Sequence, residues 1–136
     1  MTTSAVLPAL PHIYDTVPVL RSFDEKRARE FYVDWLGFNV DWEHRFEPKL
    51  PLYMQLSRHG LTLHLSEHHG DACPGAAVFI RMRRLVAFHA DITSRPYDFY
   101  RPAIERLPWG LDQMSITDPF GNSLRFTEEV PEPLAA

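Results

Sequence analysis

One order of elements occurs twice in this chain, and that repetition constrains the fold more than any single motif. Extended segments and an amphipathic stretch follow one another as β-α-β-β-β from Thr16 to Glu67, and the order returns from Ala77 to Phe126. Gly70-Asp-Ala-Cys-Pro-Gly75 links the halves. With 136 residues, 45% of them hydrophobic, the chain has apolar side chains for one core, so a single α+β domain is expected. Its modules span about 15–69 and 76–129, after an N-terminal arm of residues 1–14.

Local signals place the elements. Ala28, Phe31, Tyr32, Trp35 and Leu36 fall on one helical face, which Gly37 should end. Ser22-Phe-Asp-Glu25 offers either a capping box from Ser22 or a cap at Asp24. Thr16 to Arg21 is a strand whose Pro18 must sit at an unpaired position, and Phe38 to Arg45, Leu52 to Ser57 and Leu61 to Glu67 are the next three. In the second half, Ala77 to Met82 is a strand. Leu85, Phe88, His89 and Ile92 make a helix ended by Pro96. Tyr97 to Leu107 should hold a helical turn and a short strand, and Leu111 to Thr117 and Ser123 to Phe126 are strands joined by the turn Asp118-Pro-Phe-Gly-Asn122.

Period-two alternation assigns faces. Leu61, Leu63 and Leu65 oppose Thr62, His64 and Ser66; Leu52, Met54 and Leu56 oppose Tyr53, Gln55 and Ser57. Val78, Ile80 and Met82 oppose Phe79 and Arg81, and Leu124 and Phe126 oppose Ser123 and Arg125. The polar set either faces water, as antiparallel sheets allow, or lines a cleft if the sheet curls.

Charge and motifs remove several classes. A net charge of −4 with no basic run argues against nucleic acid as partner. No secretory signal and no apolar run of about 20 residues is present, so a cytoplasmic protein without membrane contact is expected. Cys73 is the only cysteine and reads as a loop thiol. No G-x-G-x-x-G, Walker-type loop, G-x-S-x-G or H-E-x-x-H occurs.

The motifs Val17-Pro-Val-Leu20 with Asp24, Phe31-Tyr32 with Leu36-Gly37-Phe38, and Pro108-Trp-Gly110 before Asp118-Pro-Phe-Gly-Asn122 resemble, in order and spacing, the vicinal oxygen chelate superfamily. That group includes glyoxalase I, extradiol dioxygenases, and fosfomycin- and bleomycin-resistance proteins. The resemblance covers Val17 to Glu128 and is greatest with the bleomycin-resistance branch. It implies two βαβββ modules forming curved mixed sheets around a cleft, and a homodimer to which the hydrophobic arm contributes.

In metal-dependent members, four side chains from the first and last strands of each module meet one divalent ion. The matching positions here are Val17, His64, a place near Ala77, and Arg125. A guanidinium cation repels a metal, and one imidazole falls short of the roughly three protein ligands a catalytic metal needs. His59, His68 and His69 fall at strand ends and in the linker. No metal and no cofactor is expected.

In the bleomycin-resistance branch, aromatic rings hold the flat tail of the drug. The resemblance carries that role to Trp42, approximately Phe46, and Trp109, with Tyr53, His64 and Arg125 on the open face completing the candidate ligand-binding set. Trp109 and Trp42 could equally plug the sheet end and a subunit seam. Bleomycins are cationic, whereas Arg21, Arg81 and Arg125 would make the open face basic unless Glu43, Glu67 or other carboxylates pair with them. The expected function is sequestration of a small aromatic molecule such as a bleomycin-type antibiotic. The alternative is a lyase- or dioxygenase-like enzyme acting on a small carbonyl or anionic substrate, with His64 as base and Arg125 as electrostatic partner.

Overall fold

The computed structural model describes residues 9–98 and 100–130; residues 1–8 of the arm and the C-terminal segment 131–136 lie outside them. Two four-stranded mixed sheets carry the repeated order. The first module holds β1 (Val19–Arg21), α1 (Glu25–Ala28) running on as a π-helical segment (Arg29–Trp35), β2 (Asn39–His44), β3 (Tyr53–Arg58) and β4 (Leu61–Ser66). The second holds β5 (Ala77–Arg81), α2 (Leu85–Thr93), β6 (Glu105–Leu107), β7 (Leu111–Thr117) and β8 (Ser123–Glu129). Strand order is β1-β4-β3-β2 in sheet A and β5-β8-β7-β6 in sheet B. In each sheet the first strand runs parallel to the last, a pairing that the intervening helix crossover makes possible.

Several boundaries move from the sequence expectation for local reasons. β1 begins at Val19 because Pro18 has no N–H for the ladder; its carbonyl still accepts from His64 N at 3.0 Å. Asp24, not Ser22, caps the helix, accepting from Arg27 N at 3.0 Å. From Arg29 the helix widens, with Leu36 N bonded to Phe31 O at 3.0 Å in the i→i−5 manner. After Tyr97, Asp98 lies in a turn, and the expected short strand is β6. β8 runs three residues past Phe126.

One core receives both modules. Leu20, Met54, Leu56, Leu63 and Leu65 of sheet A, and Met114, Ile116, Leu124 and Phe126 of sheet B, bury their side chains with Phe31, Tyr32 and Trp35 of the first helix and Leu85, Phe88 and Ile92 of α2. The alternation read from the sequence therefore assigns the apolar faces correctly. Polar links cross the seam as well. Trp35 Nε1 donates to Ile92 O at 3.0 Å, and Arg58 reaches Asp91 at 2.6 Å, the Leu36 carbonyl, and the face of Phe88 at 5.4 Å, within cation–π reach.

The Asp118-Pro-Phe-Gly-Asn122 turn is the strongest such link. Asp118 is buried, and its carboxylate accepts from Phe120 N, Asn122 N, Asn122 Nδ2 and, at 2.6 Å, the hydroxyl of Tyr32 in the other module. Asn122 Nδ2 also donates to Arg21 O at 2.8 Å. Burial, and then the charge of Asp118, push the Tyr32 phenol well above its ordinary pKa, so it remains a donor.

Two substitutions test these supports. Gly37 has φ +78°, and a Cβ there would stand 2.5 Å from Arg58 Nη1. Gly37→Ala is expected to cost about 1–2 kcal/mol in urea unfolding, and an unchanged midpoint would contradict the assignment. Hydrogen bonds from Arg95 and then Arg58 lower Asp91 to about 2. Its contribution is present above the ordinary carboxylate range and is lost as pH falls toward 2. Asp91→Asn should cost about 1 kcal/mol at neutral pH, after discounting for solvent screening, and flatten that acid limb; unfolding curves superimposable on the parent's at both pH values would refute it.

Candidate functional site

The open face of sheet A is built by a register shift. Val40 pairs with Leu56, but the next pair is Trp42 with Gln55, leaving Asp41 as the extra residue of a β-bulge. An unbroken ladder would set Asp41 opposite Gln55 and turn Trp42 to the core side. The bulge instead puts both on the polar side. Asp41 accepts from Gln55 Nε2 at 3.0 Å and from Ser57 Oγ at 2.8 Å, while Trp42 stays 43% exposed.

Trp42, Gln55, His64 and Val19 then form one row across the four strands. The Trp42 and Tyr53 rings lie nearly parallel, 7° apart with centroids at 5.9 Å, and His64 meets both edge-on at 5.3 and 5.1 Å. Phe46 and His44 extend the group at its margin: Phe46 contacts His68, which in turn meets Tyr53 at 6.3 Å.

A polar chain fixes the imidazole. The carboxylate of Asp41 can only accept, so the Gln55 amide N–H₂ faces it and Oε1 faces His64 Nε2 at 2.9 Å. Nε2 must therefore carry the proton, and Nδ1 accepts from the Tyr53 hydroxyl at 2.7 Å. Burial lowers the His64 pKa, which favours this neutral form. Burial, together with the nearby charge of Asp71, raises that of Tyr53 and keeps its proton in place.

The superfamily metal positions do not fit a metal. Val17 and Ala77 have no donor atom, nor do Val19 and Phe79, the residues that register sets beside His64 and Arg125. Both ring nitrogens of His64 are engaged, and among the described residues no three His, Cys, Asp or Glu side chains group together.

The remaining candidates lie on sheet B. Trp109 stands at the tip of the β6–β7 hairpin, in the turn closed by Gly110 N to Leu107 O, and is 70% exposed. Arg125 sits beside Phe79 and Ser115 on the open side of that sheet. The structure thus brings Trp42, Tyr53 and His64 into contact, with Phe46 nearby, and leaves Trp109 and Arg125 apart from them at different places on sheet B.

Charge is distributed unevenly over the two sheets. Arg21 donates to His68 O and lies over Phe23, while Glu43 pairs with Arg29, and Glu67 accepts from Leu52 N. Neither glutamate meets Arg81 or Arg125. On the open side of sheet A, Arg21 is accompanied by Asp41 and by the linker residue Asp71, bonded to Ser66, both of which sequence parity passed over; Arg81 and Arg125 are on sheet B. In the single chain, concavities of about 520 Å³ between the first helix, Tyr97 and Tyr100, of about 540 Å³ beside Trp35 and Arg95, and of about 880 Å³ on sheet B all lie away from Trp42, Tyr53 and His64.

The family model for "Glyoxalase superfamily protein" matches residues 10–132. No curated protein matches in sequence. A bleomycin-binding protein solved with bleomycin is 24% identical, with TM-score 0.65 over 85% of this chain and 98% of its own. The bleomycin resistance determinant of transposon Tn5 is also 24% identical, with TM-score 0.64 over 85% and 97%. A glyoxalase-related enzyme from Clostridium phytofermentans is 20% identical, with TM-score 0.66 over 88% and 98%. At these identities the likeness establishes the fold. Among the described residues no helix is long and apolar enough to cross a membrane.

The polar chain has a direct test. Nitrogen shifts of His64 should show the Nε2–H tautomer at pH 7 and a midpoint below the ordinary 6.5, with Gln55→Leu loosening the tautomer preference. A midpoint above 6.5 would contradict the assignment.

Proposed function

We propose a binding function for this chain, which belongs to the glyoxalase superfamily. It takes up a small planar aromatic molecule, such as the flat part of a bleomycin-type antibiotic, and sequesters it unchanged as a cytoplasmic homodimer. The observation that carries this reading is the half-exposed platform of Trp42 stacked on Tyr53, held by the His64 chain. Each stacked ring pair contributes about 0.5–1.5 kcal/mol beyond area burial, enough for a few rings to retain a guest without catalysis.

The platform needs a second wall, and a second copy supplies it. Trp109 on its hairpin tip and Arg125 on the second sheet are the residues that would face Trp42 across the cleft. Leu10, Ile13 and Tyr14 support assembly, since they stand 84%, 84% and 91% exposed in the single chain. The carboxylates of Asp41 and Asp71 suit a cationic guest on the sheet A side. A structure of the same fold solved with bleomycin adds weight to this ligand class.

A second reading keeps a metal-free lyase or isomerase in view, because lowered His64 basicity leaves the ring neutral near pH 7. Its Nδ1 lone pair is committed to Tyr53, so a base role requires that hydroxyl to swing away.

Calorimetric titration with metal-free and copper-loaded bleomycin decides the binding claim. One saturable site per chain is expected, weakened about tenfold or more by Trp42→Ala. No saturable heat with either form, at protein concentrations well above micromolar, would remove the claim.

A further inference from the structure

The open side of sheet B carries a second recognition surface of different chemistry. β5 and β8 run parallel with Phe79 opposite Arg125 and Arg81 opposite Thr127, so Phe79, Arg81 and Arg125 share one face, with Thr127 buried beneath them. A groove of about 880 Å³ runs along this patch over Phe79, Arg81, Arg83, Arg84 and Thr127, with Glu128 and Glu129 also in its lining; Arg125 stands beside Phe79, next to the groove. That volume lies within the range of small-molecule sites, about 300–1,000 Å³.

The arginines of this groove, and Arg125 beside it, differ from those that hold the fold together. Arg29, Arg45, Arg58, Arg95 and Arg106 each meet a carboxylate. Among the described residues, no side-chain partner is formed by Arg81, Arg83, Arg84 or Arg125. Of the two acids in the lining, Glu128 is already committed: its two oxygens accept from Arg84 N at 2.8 Å and Leu85 N at 3.0 Å, capping α2, while Glu129 lies two residues beyond Thr127 at the end of β8. Phe79 is 50% exposed and supplies a flat apolar floor among the cations.

We infer that this groove binds an aromatic oxyanion, its ring against Phe79 and its carboxylate or related planar anionic group held by Arg81 and Arg125. The guanidinium fork matches two coplanar oxygens, and its charge is free to be neutralised by a guest. The inference rests on the reading above that this protein holds a flat organic guest, and it names the substituent that guest carries on the sheet B side. Asp41 and Asp71 beside the first sheet and these arginines on the second then favour molecules bearing a cationic and an anionic end.

The probes are 2-naphthoate and its neutral analogue 2-naphthalenemethanol, titrated calorimetrically into the full chain at fixed ionic strength. Naphthoate is expected to bind at least tenfold more tightly. Arg81→Gln and Arg125→Gln should each shrink that ratio several-fold, and Arg101→Gln, remote from the groove, should leave it unchanged. Equal affinity for the two compounds would overturn the inference and leave the flat-guest reading standing. Gln variants that keep the full ratio, or that alter only self-association in sedimentation velocity, would also overturn it. If neither compound binds, the inference falls together with the flat-guest reading for molecules of this size.

Discussion

The buried carboxylate of Asp118 is the interaction on which the arrangement of the two sheets depends. It collects four hydrogen bonds, three from its own turn and one from Tyr32 of the opposite module. A charge taken out of water is tolerated only when so fully satisfied, and removing one donor would leave the rest of the desolvation cost uncompensated. Because the Tyr32 donor belongs to the first helix, the turn that shapes the β7–β8 hairpin also locks that helix against sheet B. The polar faces of both sheets are thereby turned away from the shared core.

On sheet A, the one-residue bulge at Asp41 converts that scaffold into a site. Without it Trp42 would face the core and Asp41 alone would reach the open side. With it, a carboxylate, an amide, an imidazole and a phenol line up across neighbouring strands, each limiting the hydrogen-bonding role of the next. The aromatic platform is held by directional bonds rather than by packing alone. Among the described residues, sheet B forms no such chain. His64 and Arg125 lie in corresponding rows beside β1 and β5, and the second module puts a cation where the first puts a neutral ring.

Much of this is written locally in the chain. Leu61-Thr-Leu-His-Leu65 declares its buried face by alternation, Gly37 marks the helix end, and Asp118-Pro-Phe-Gly-Asn122 marks the hairpin. The π-helical widening after Ala28 has no sequence mark, since the same residues suit an α-helix. The bulge is invisible because it is a property of two strands in register, and Asp41 looks like any polar strand residue until Gln55 and Ser57 stand beside it. Parity gave the side of each arginine correctly, yet parity within one strand carries no information about which sheet the strand joins. A single basic face was therefore expected where the structure leaves Arg21 with Asp41 and Asp71 on the aromatic sheet and sets Arg81 and Arg125 on the other.

The three tryptophans provide the most direct measurement of where a guest lies. Their indole N–H resonances can be followed by heteronuclear NMR as metal-free bleomycin is added. Trp42 should shift first and most, with His64 responding through the hydrogen-bonded chain, and Trp109 should follow as the second wall closes. Trp35, buried and bonded to Ile92 O, should stay fixed. Shifts confined to Trp35 and the neighbouring Tyr97–Tyr100 groove, or no shift at Trp42 at saturation, would contradict the account.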